Sequence, residues 1–174
     1  MSSFAAIAAA RVELLAECPE EAADKLQTAY DMLGAIGERY FRPLVGALLA
    51  SALLAVGATA RVSDVITEAE AQADPDDTET QAVLRAVRAR LCASADAWEL
   101  AFELAREAVE LTASTDAPGM RASALETLAE VLSRSGRVHE AGAALAQAYA
   151  LYEQKGNLAA TARLGRRAAE VRAS

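Results

Sequence analysis

Few residues of this 174-residue chain have the type and spacing needed for catalysis. His139 is the only histidine, so neither a histidine-based metal site nor a catalytic triad is expected. The acid pairs Glu20-Glu21 and Asp76-Asp77 resemble carboxylates paired for acid–base chemistry. At helix starts, however, such pairs more commonly serve as caps and as partners of the helix dipole. The sequence therefore predicts no enzymatic activity, no metal and no cofactor.

A row of polar side chains predicts binding instead. Gln81, Arg85 and Arg88 are spaced four and three residues apart, so they share one face of a helix. If helical hairpins stack side by side, the first helix of each hairpin lines a concave groove, and an acidic peptide is the expected occupant. The alternative is an ordinary solvated face with local ion pairs. The predicted partner-binding residues are Tyr40, Arg42, Gln81, Arg85, Arg88 and Arg121.

The aromatic residues and cysteines fit structural roles. Trp98, Phe102 and Tyr149 are predicted to pack in the core or between repeats, because a ligand cage would need them exposed around a cavity. Cys18 and Cys92 share no motif spacing, which is typical of small buried thiols in a reducing cytosol. A cytoplasmic location is therefore expected.

The charge of the chain limits its partners. A net charge of -8 disfavours direct nucleic-acid binding, because phosphates require clustered Lys and Arg. Residues 64–79 contain seven acids and no bases, whereas residues 157–174 contain four arginines and one glutamate. Two interpretations remain open: solvated helix faces, or complementary ends that stack copies of the chain or dock a neighbouring domain.

A recurring turn signal indicates how these residues are positioned. Cys18, Gly57, Ala95 and Gly136 follow one another at steps of 39, 38 and 41 residues, and each separates two apolar helical stretches. A fixed period of this size is typical of stacked helical hairpins. Hydrophobic residues make up 53% of the chain but aromatics only 5%, which favours closely packed helices. The predicted single domain has hairpins at about 3–38, 43–73, 77–113 and 118–154, and a terminal helix at 157–172.

Several helix boundaries can be predicted from local signals. Residues 43–60 carry no charge, which suggests an inner helix covered on all sides rather than a membrane span. Ser63 or Asp64 is the expected N-cap of the following helix, after a loop a few residues longer than the one at Gly136. Asn157 is expected to cap the last helix, after a left-handed turn at Gly156.

Two resemblances rest on particular motifs. One segment of the chain resembles a tetratricopeptide-type hairpin. It consists of Gly136-Arg137-Val138-His139-Glu140-Ala141, with Ala148 and Leu151-Tyr152 further along the same helix. The helical tail of large actinobacterial ATPase, nucleotide-cyclase or transcriptional regulators resembles residues 36–41, 105–111, 115–116, 124–132, 136–137 and 151–157. The catalytic modules of such regulators lie outside the tail, and this chain contains no Gly-rich phosphate loop.

The resemblance implies an all-α, tetratricopeptide-like right-handed superhelix of about nine helices. The implied function is that of a non-catalytic protein-interaction or regulatory module, with a protein or peptide partner and no membrane. A self-associating scaffold and a small-molecule sensor domain are the alternatives.

Overall fold

The computed structural model describes the backbone of residues 18–173 and the side chains of residues 18–166. All regular structure in this part of the chain is helical, and the predicted helix at residues 3–17 lies outside it. The helices are α1 (Pro19–Ala35), α2 (Arg42–Ala55), α3 (Thr59–Gln72), α4 (Thr78–Ser94), α5 (Trp98–Ala113), α6 (Pro118–Arg134), α7 (Val138–Gln154) and α8 (Leu158–Ala173).

Left-handed residues end the helices at the predicted repeat. Gly57 and Gly136 have φ angles of 78° and 83°, and the third equivalent turn is made by Asp96 at 56° rather than by Ala95. Asp tolerates this conformation better than Ala, because its short polar side chain can form local hydrogen bonds. The turns therefore recur at 39 and 40 residues between Gly57, Asp96 and Gly136, which is more regular than the sequence suggested.

The predicted N-cap at Ser63 or Asp64 is wrong. α3 begins four residues earlier, at Thr59, because the amide of Ala58 donates to the carbonyl of Leu53 at 2.9 Å and closes a tight turn. The loop is therefore short, as it is at the other turns. The cap at Asn157 is confirmed, since its side-chain oxygen accepts from the Ala160 amide at 3.1 Å.

The chain divides into two compact units, residues 1–87 and 88–174, and the boundary falls within α4. In unit 1, the core is formed by fully buried side chains from three successive helices: Leu26, Val45, Leu49, Val62 and Ile66. α2 is buried on nearly all sides, which confirms the prediction of an inner helix. None of the described helices has both the length and the apolar character needed to cross a bilayer.

Unit 2 packs through small side chains. One cluster of its core comprises Ala89, Ala93, Ala101, Ala105 and Val131. Trp98 and Phe102 pack against this cluster as predicted, whereas Tyr149 is 40% exposed and does not belong to the core. The alanines explain the low aromatic content, because helices that meet through methyl groups approach closely and leave little space for rings.

Candidate protein-interaction surfaces

Arg42, one of the predicted binding residues, is held inside a polar cluster of unit 1. Its guanidinium lies 4.2 Å from the centre of the Tyr30 ring and forms an ion pair with Glu68. The Tyr30 hydroxyl donates to the same carboxylate at 2.7 Å. The cluster joins α1, α2 and α3, and the Arg42 side chain is only 16% exposed. Arg42 therefore connects three helices and presents little of itself to a partner.

The charges in this cluster reinforce one another. The Arg42 and Tyr30 hydrogen bonds hold the pKa of Glu68 below its usual value, while the Glu68 hydrogen bond raises the pKa of Arg42. Burial and the hydrogen bond to Glu68 raise the pKa of Tyr30. The carboxylate thus stays ionised and the phenol stays protonated, which keeps the donor and acceptor roles fixed at neutral pH.

Tyr40 lies beside this cluster in the turn between α1 and α2. The Glu38 carboxylate shapes the turn, because its two oxygens accept from the backbone amides of Tyr40, Phe41 and Arg42 at 2.9–3.1 Å. Tyr40 projects outward, 69% exposed, with its ring edge-on to Phe41. An open depression of about 300 Å³ adjoins the turn and is lined by Gly34, Gly37, Glu38, Arg39, Arg42 and Gln72.

Gln81 and Arg85 are brought together on α4. The Arg85 guanidinium donates to the side-chain oxygen of Gln81 at 2.8 Å and to its carbonyl at 3.2 Å, while the Gln81 amide donates to the carbonyl of Asp74 at 3.0 Å. Both side chains are half-buried, and each is followed in the chain by a buried alanine, Ala82 or Ala86. The guanidinium is therefore oriented before any partner arrives.

Arg88 and Arg121 are both half-buried. Arg88 continues the row on α4, and Arg121 lies in the first turn of α6. The Nε atom of Arg121 is buried without a hydrogen-bond partner. The groove that would connect these residues with Arg85 remains a prediction.

A buried polar cluster in unit 2 escaped the sequence analysis. Glu126 on α6 is 5% exposed and accepts from the Tyr152 hydroxyl at 2.8 Å. It also accepts from both terminal nitrogens of Arg163, at 2.6 and 2.8 Å. Burial and the adjacent carboxylate raise the pKa of Tyr152. The sequence offered only a weak signal, namely that Glu126 directly follows Leu125 and lies two residues before Leu128 on the same helix.

Arginines also cover the aromatic residues of α5. Arg137 lies 4.5 Å above the Phe102 ring, and Arg134 lies 5.9 Å above the Trp98 ring while donating to the carbonyl of Ala93 at 3.1 Å. His139 is exposed at the start of α7. Within the described residues, no three His, Cys, Asp or Glu side chains are grouped so that they could hold a metal ion.

Known structures identify the fold. The chain is similar to two crystal structures of a Podosopora anserina putative kinesin light chain with nearly identical TPR-like repeats. Sequence identity is 19% in both, the matches cover 98% of this chain and 94% of the other, and the TM-scores are 0.56 and 0.57. The fold is therefore all-helical and TPR-like. No family model matches the sequence, and no curated protein matches it significantly.

Proposed function

We propose that this chain is a non-catalytic protein-interaction module and that it forms the cytoplasmic helical-repeat tail of a larger signalling or transcriptional regulator. The observation that carries this proposal is the arrangement on α4. There, the Gln81 side chain donates to the carbonyl of Asp74 and orients the Arg85 guanidinium. An oriented guanidinium loses less side-chain entropy when it binds a carboxylate.

The TPR-like fold supports a binding role, because stacks of helical hairpins present extended surfaces to partners. The actinobacterial regulator context rests on the motif resemblance alone. In such a protein, the attached domain would exist in two states. A partner that binds the repeat tail more tightly in one of them would shift the equilibrium towards that state. The partner is expected to carry an acidic segment that pairs with Arg85 and Arg88.

Self-association is less well supported by the structure. That alternative requires the arginines near the C-terminus to face the acidic residues of a second copy. Arg163 instead forms a buried ion pair with Glu126, and Glu68 of the acidic stretch pairs with Arg42. Arg163 and Glu68 are thus each paired with a residue of their own unit.

The proposal is tested by comparing matched charge reversals. The partner is first identified by crosslinking in cells of the source organism and mass spectrometry, and its acidic segment is then titrated calorimetrically. The combined change Arg85→Glu and Arg88→Glu should weaken binding by about tenfold or more, because charged hydrogen bonds contribute about 1.5–3 kcal/mol each. Arg106→Glu, an exposed change on α5, is the control. Unchanged binding in the double variant would exclude α4 as the binding surface.

The size of the native protein tests the regulator context separately. An antibody against this chain should detect a band much larger than 18.2 kDa in a lysate of the source organism. A band at 18.2 kDa would show that the module acts alone and binds its partner in trans.

A further inference from the structure

Exposed apolar side chains are concentrated at the end of α1 and in the turn that follows. Seven large apolar side chains are exposed in the described part of the chain, and three of them lie within nine residues. These are Met32, Ile36 and Tyr40, with exposed fractions of 52%, 76% and 69%. Single exposed apolar residues are ordinary, whereas a local concentration is typical of an interaction surface.

The same turn carries one uncompensated positive charge. Arg39 is exposed and makes neither a hydrogen bond nor an ion pair with any residue that the structure describes. Its charged neighbours are already satisfied, because Glu38 accepts three backbone amides and Arg42 pairs with Glu68. A carboxylate that approaches this turn therefore meets a guanidinium with no competing acid bound to it.

The depression beside the turn gives a partner side chain room to enter. Arg39 lines the depression and directly precedes the exposed Tyr40 in the chain. Two glycines line the depression, Gly34 and Gly37, and a Cβ at Gly34 would lie 3.1 Å from the Nε atom of Arg42. Gly37 has a φ of 69°, which other residues adopt only with strain.

We propose that the turn surface, defined as Ile36, Arg39 and Tyr40, binds a short segment of a partner protein that carries Asp or Glu beside an apolar side chain. The apolar side chain packs on Ile36 and Tyr40, and the carboxylate accepts hydrogen bonds from Arg39. A second copy of the chain is a poor occupant, because two molecules with a net charge of -8 repel each other. The inference rests on the proposed interaction function but uses a different surface from α4.

A displayed library of random short peptides tests this inference with the full-length chain. Selection on the wild-type protein should enrich sequences with an acid next to Leu, Ile or Phe. Synthetic peptides from that pool should bind the Arg39→Glu and Ile36→Asp variants about tenfold more weakly or worse. Both positions are exposed, so neither change disturbs the core. Arg61→Glu, an exposed charge reversal in the same unit, should bind as the wild type does.

The other outcomes separate the two proposals. Peptides that bind Arg39→Glu as well as the wild type would overturn the turn surface. Peptides that depend on Arg85 and Arg88 instead would overturn it while supporting the proposed function. A selection that enriches no sequence would contradict both. A dimer in sedimentation that becomes a monomer in Ile36→Asp would show a second copy on this surface, and that result would also overturn the inference.

Discussion

Replacing Arg163 with methionine should destabilise the protein by about 3–5 kcal/mol, the usual cost of leaving one member of a buried ion pair uncompensated. Arg163 donates to both oxygens of the Glu126 carboxylate at 2.6 and 2.8 Å. Because Glu126 is only 5% exposed, water cannot replace the lost guanidinium. Methionine retains much of the apolar stem of arginine, so the change removes charge with little loss of packing.

The expected magnitude follows from burial. An exposed ion pair contributes about 0.5 kcal/mol, because each charge remains hydrated when the other is removed. Arg106 and Glu110 on α5 are such a pair, with side chains 60% and 64% exposed. Arg106→Met is therefore the matched control, because it removes the same guanidinium group from an ion pair that is exposed to solvent. A loss of 3–5 kcal/mol is a large part of the 5–15 kcal/mol that stabilises a typical domain.

Urea unfolding followed by far-UV circular dichroism measures the difference. A third chain, with Glu126→Gln added to Arg163→Met, should regain much of the lost stability, because it no longer buries an uncompensated charge and its amide oxygen can still accept from the Tyr152 hydroxyl. If Arg163→Met costs no more than Arg106→Met, the buried pair does not stabilise unit 2 as argued. If the double change is no more stable than the single one, the loss arises from packing and the electrostatic explanation fails.

Four further perturbations test other parts of the fold. Gly46→Ala should destabilise the chain by about 1–2 kcal/mol, because the new Cβ would lie 2.9 Å from the Tyr30 ring. Gly142→Ala should instead stabilise α7 by about 1 kcal/mol, because a Cβ there would meet nothing within 4 Å. The two variants should therefore shift the urea midpoint in opposite directions, and shifts in the same direction would contradict the argument. Asp77→Ala should cost about 1 kcal/mol, because the carboxylate caps a backbone amide of α4 at 3.2 Å, whereas Asp77→Asn should not; equal losses in urea would contradict the cap. Stability should also fall above pH 10, because the pKa values of Tyr30 and Tyr152 are raised in the folded state above their ordinary value of 10.0. This stabilisation is complete below the pKa of the unfolded state and is lost as the pH rises towards the pKa of the folded state. Replacing both tyrosines with phenylalanine should reduce the loss of stability at alkaline pH in urea titrations. An unchanged loss would show that these tyrosines do not cause it.

The sequence predicted the helices well because their ends depend on local chemistry. Gly57, Gly136 and Gly156 each follow the end of a helix, where they adopt the left-handed conformation without strain. The start of α3 was missed for a related reason. Ser63 is a good capping residue, but the tight turn at Gly57 had already started the helix at Thr59.

The polar clusters could not be predicted in the same way, because they depend on which residues meet across helices. Arg42 appeared to be a surface arginine next to Tyr40. Its pairing with Glu68 depends on how α2 packs between α1 and α3. Arg163 looked like part of a basic tail, and only the fold brings it to Glu126. The prediction of a basic groove included Arg42 because the sequence does not indicate which arginines are already paired.

The repeat length does contain information about these contacts. Several side-chain contacts join residues about one repeat apart: Tyr30 with Glu68 at 38 residues, Arg90 with Glu130 at 40, Arg134 with Ala93 at 41 and Glu126 with Arg163 at 37. The turns recur at nearly the same interval, because neighbouring repeats place equivalent positions side by side. An opposite charge about 40 residues away was therefore a usable signal for Arg90 with Glu130 and for Glu126 with Arg163, but not for Arg42 and Glu68, which are 26 residues apart.

The clusters also explain how alanine-rich helices keep one packing arrangement. An alanine presents a single methyl group, so a helix that slips by one turn meets a surface of much the same shape. A slip of one turn moves a side chain by about 5.4 Å, which would separate Arg163 from Glu126 and leave a buried carboxylate unpaired. The same argument applies to Arg42 and Glu68 in unit 1. In each unit, three successive helices contribute a tyrosine, an arginine and a glutamate to one cluster, so a slipped arrangement loses polar contacts that methyl groups cannot replace.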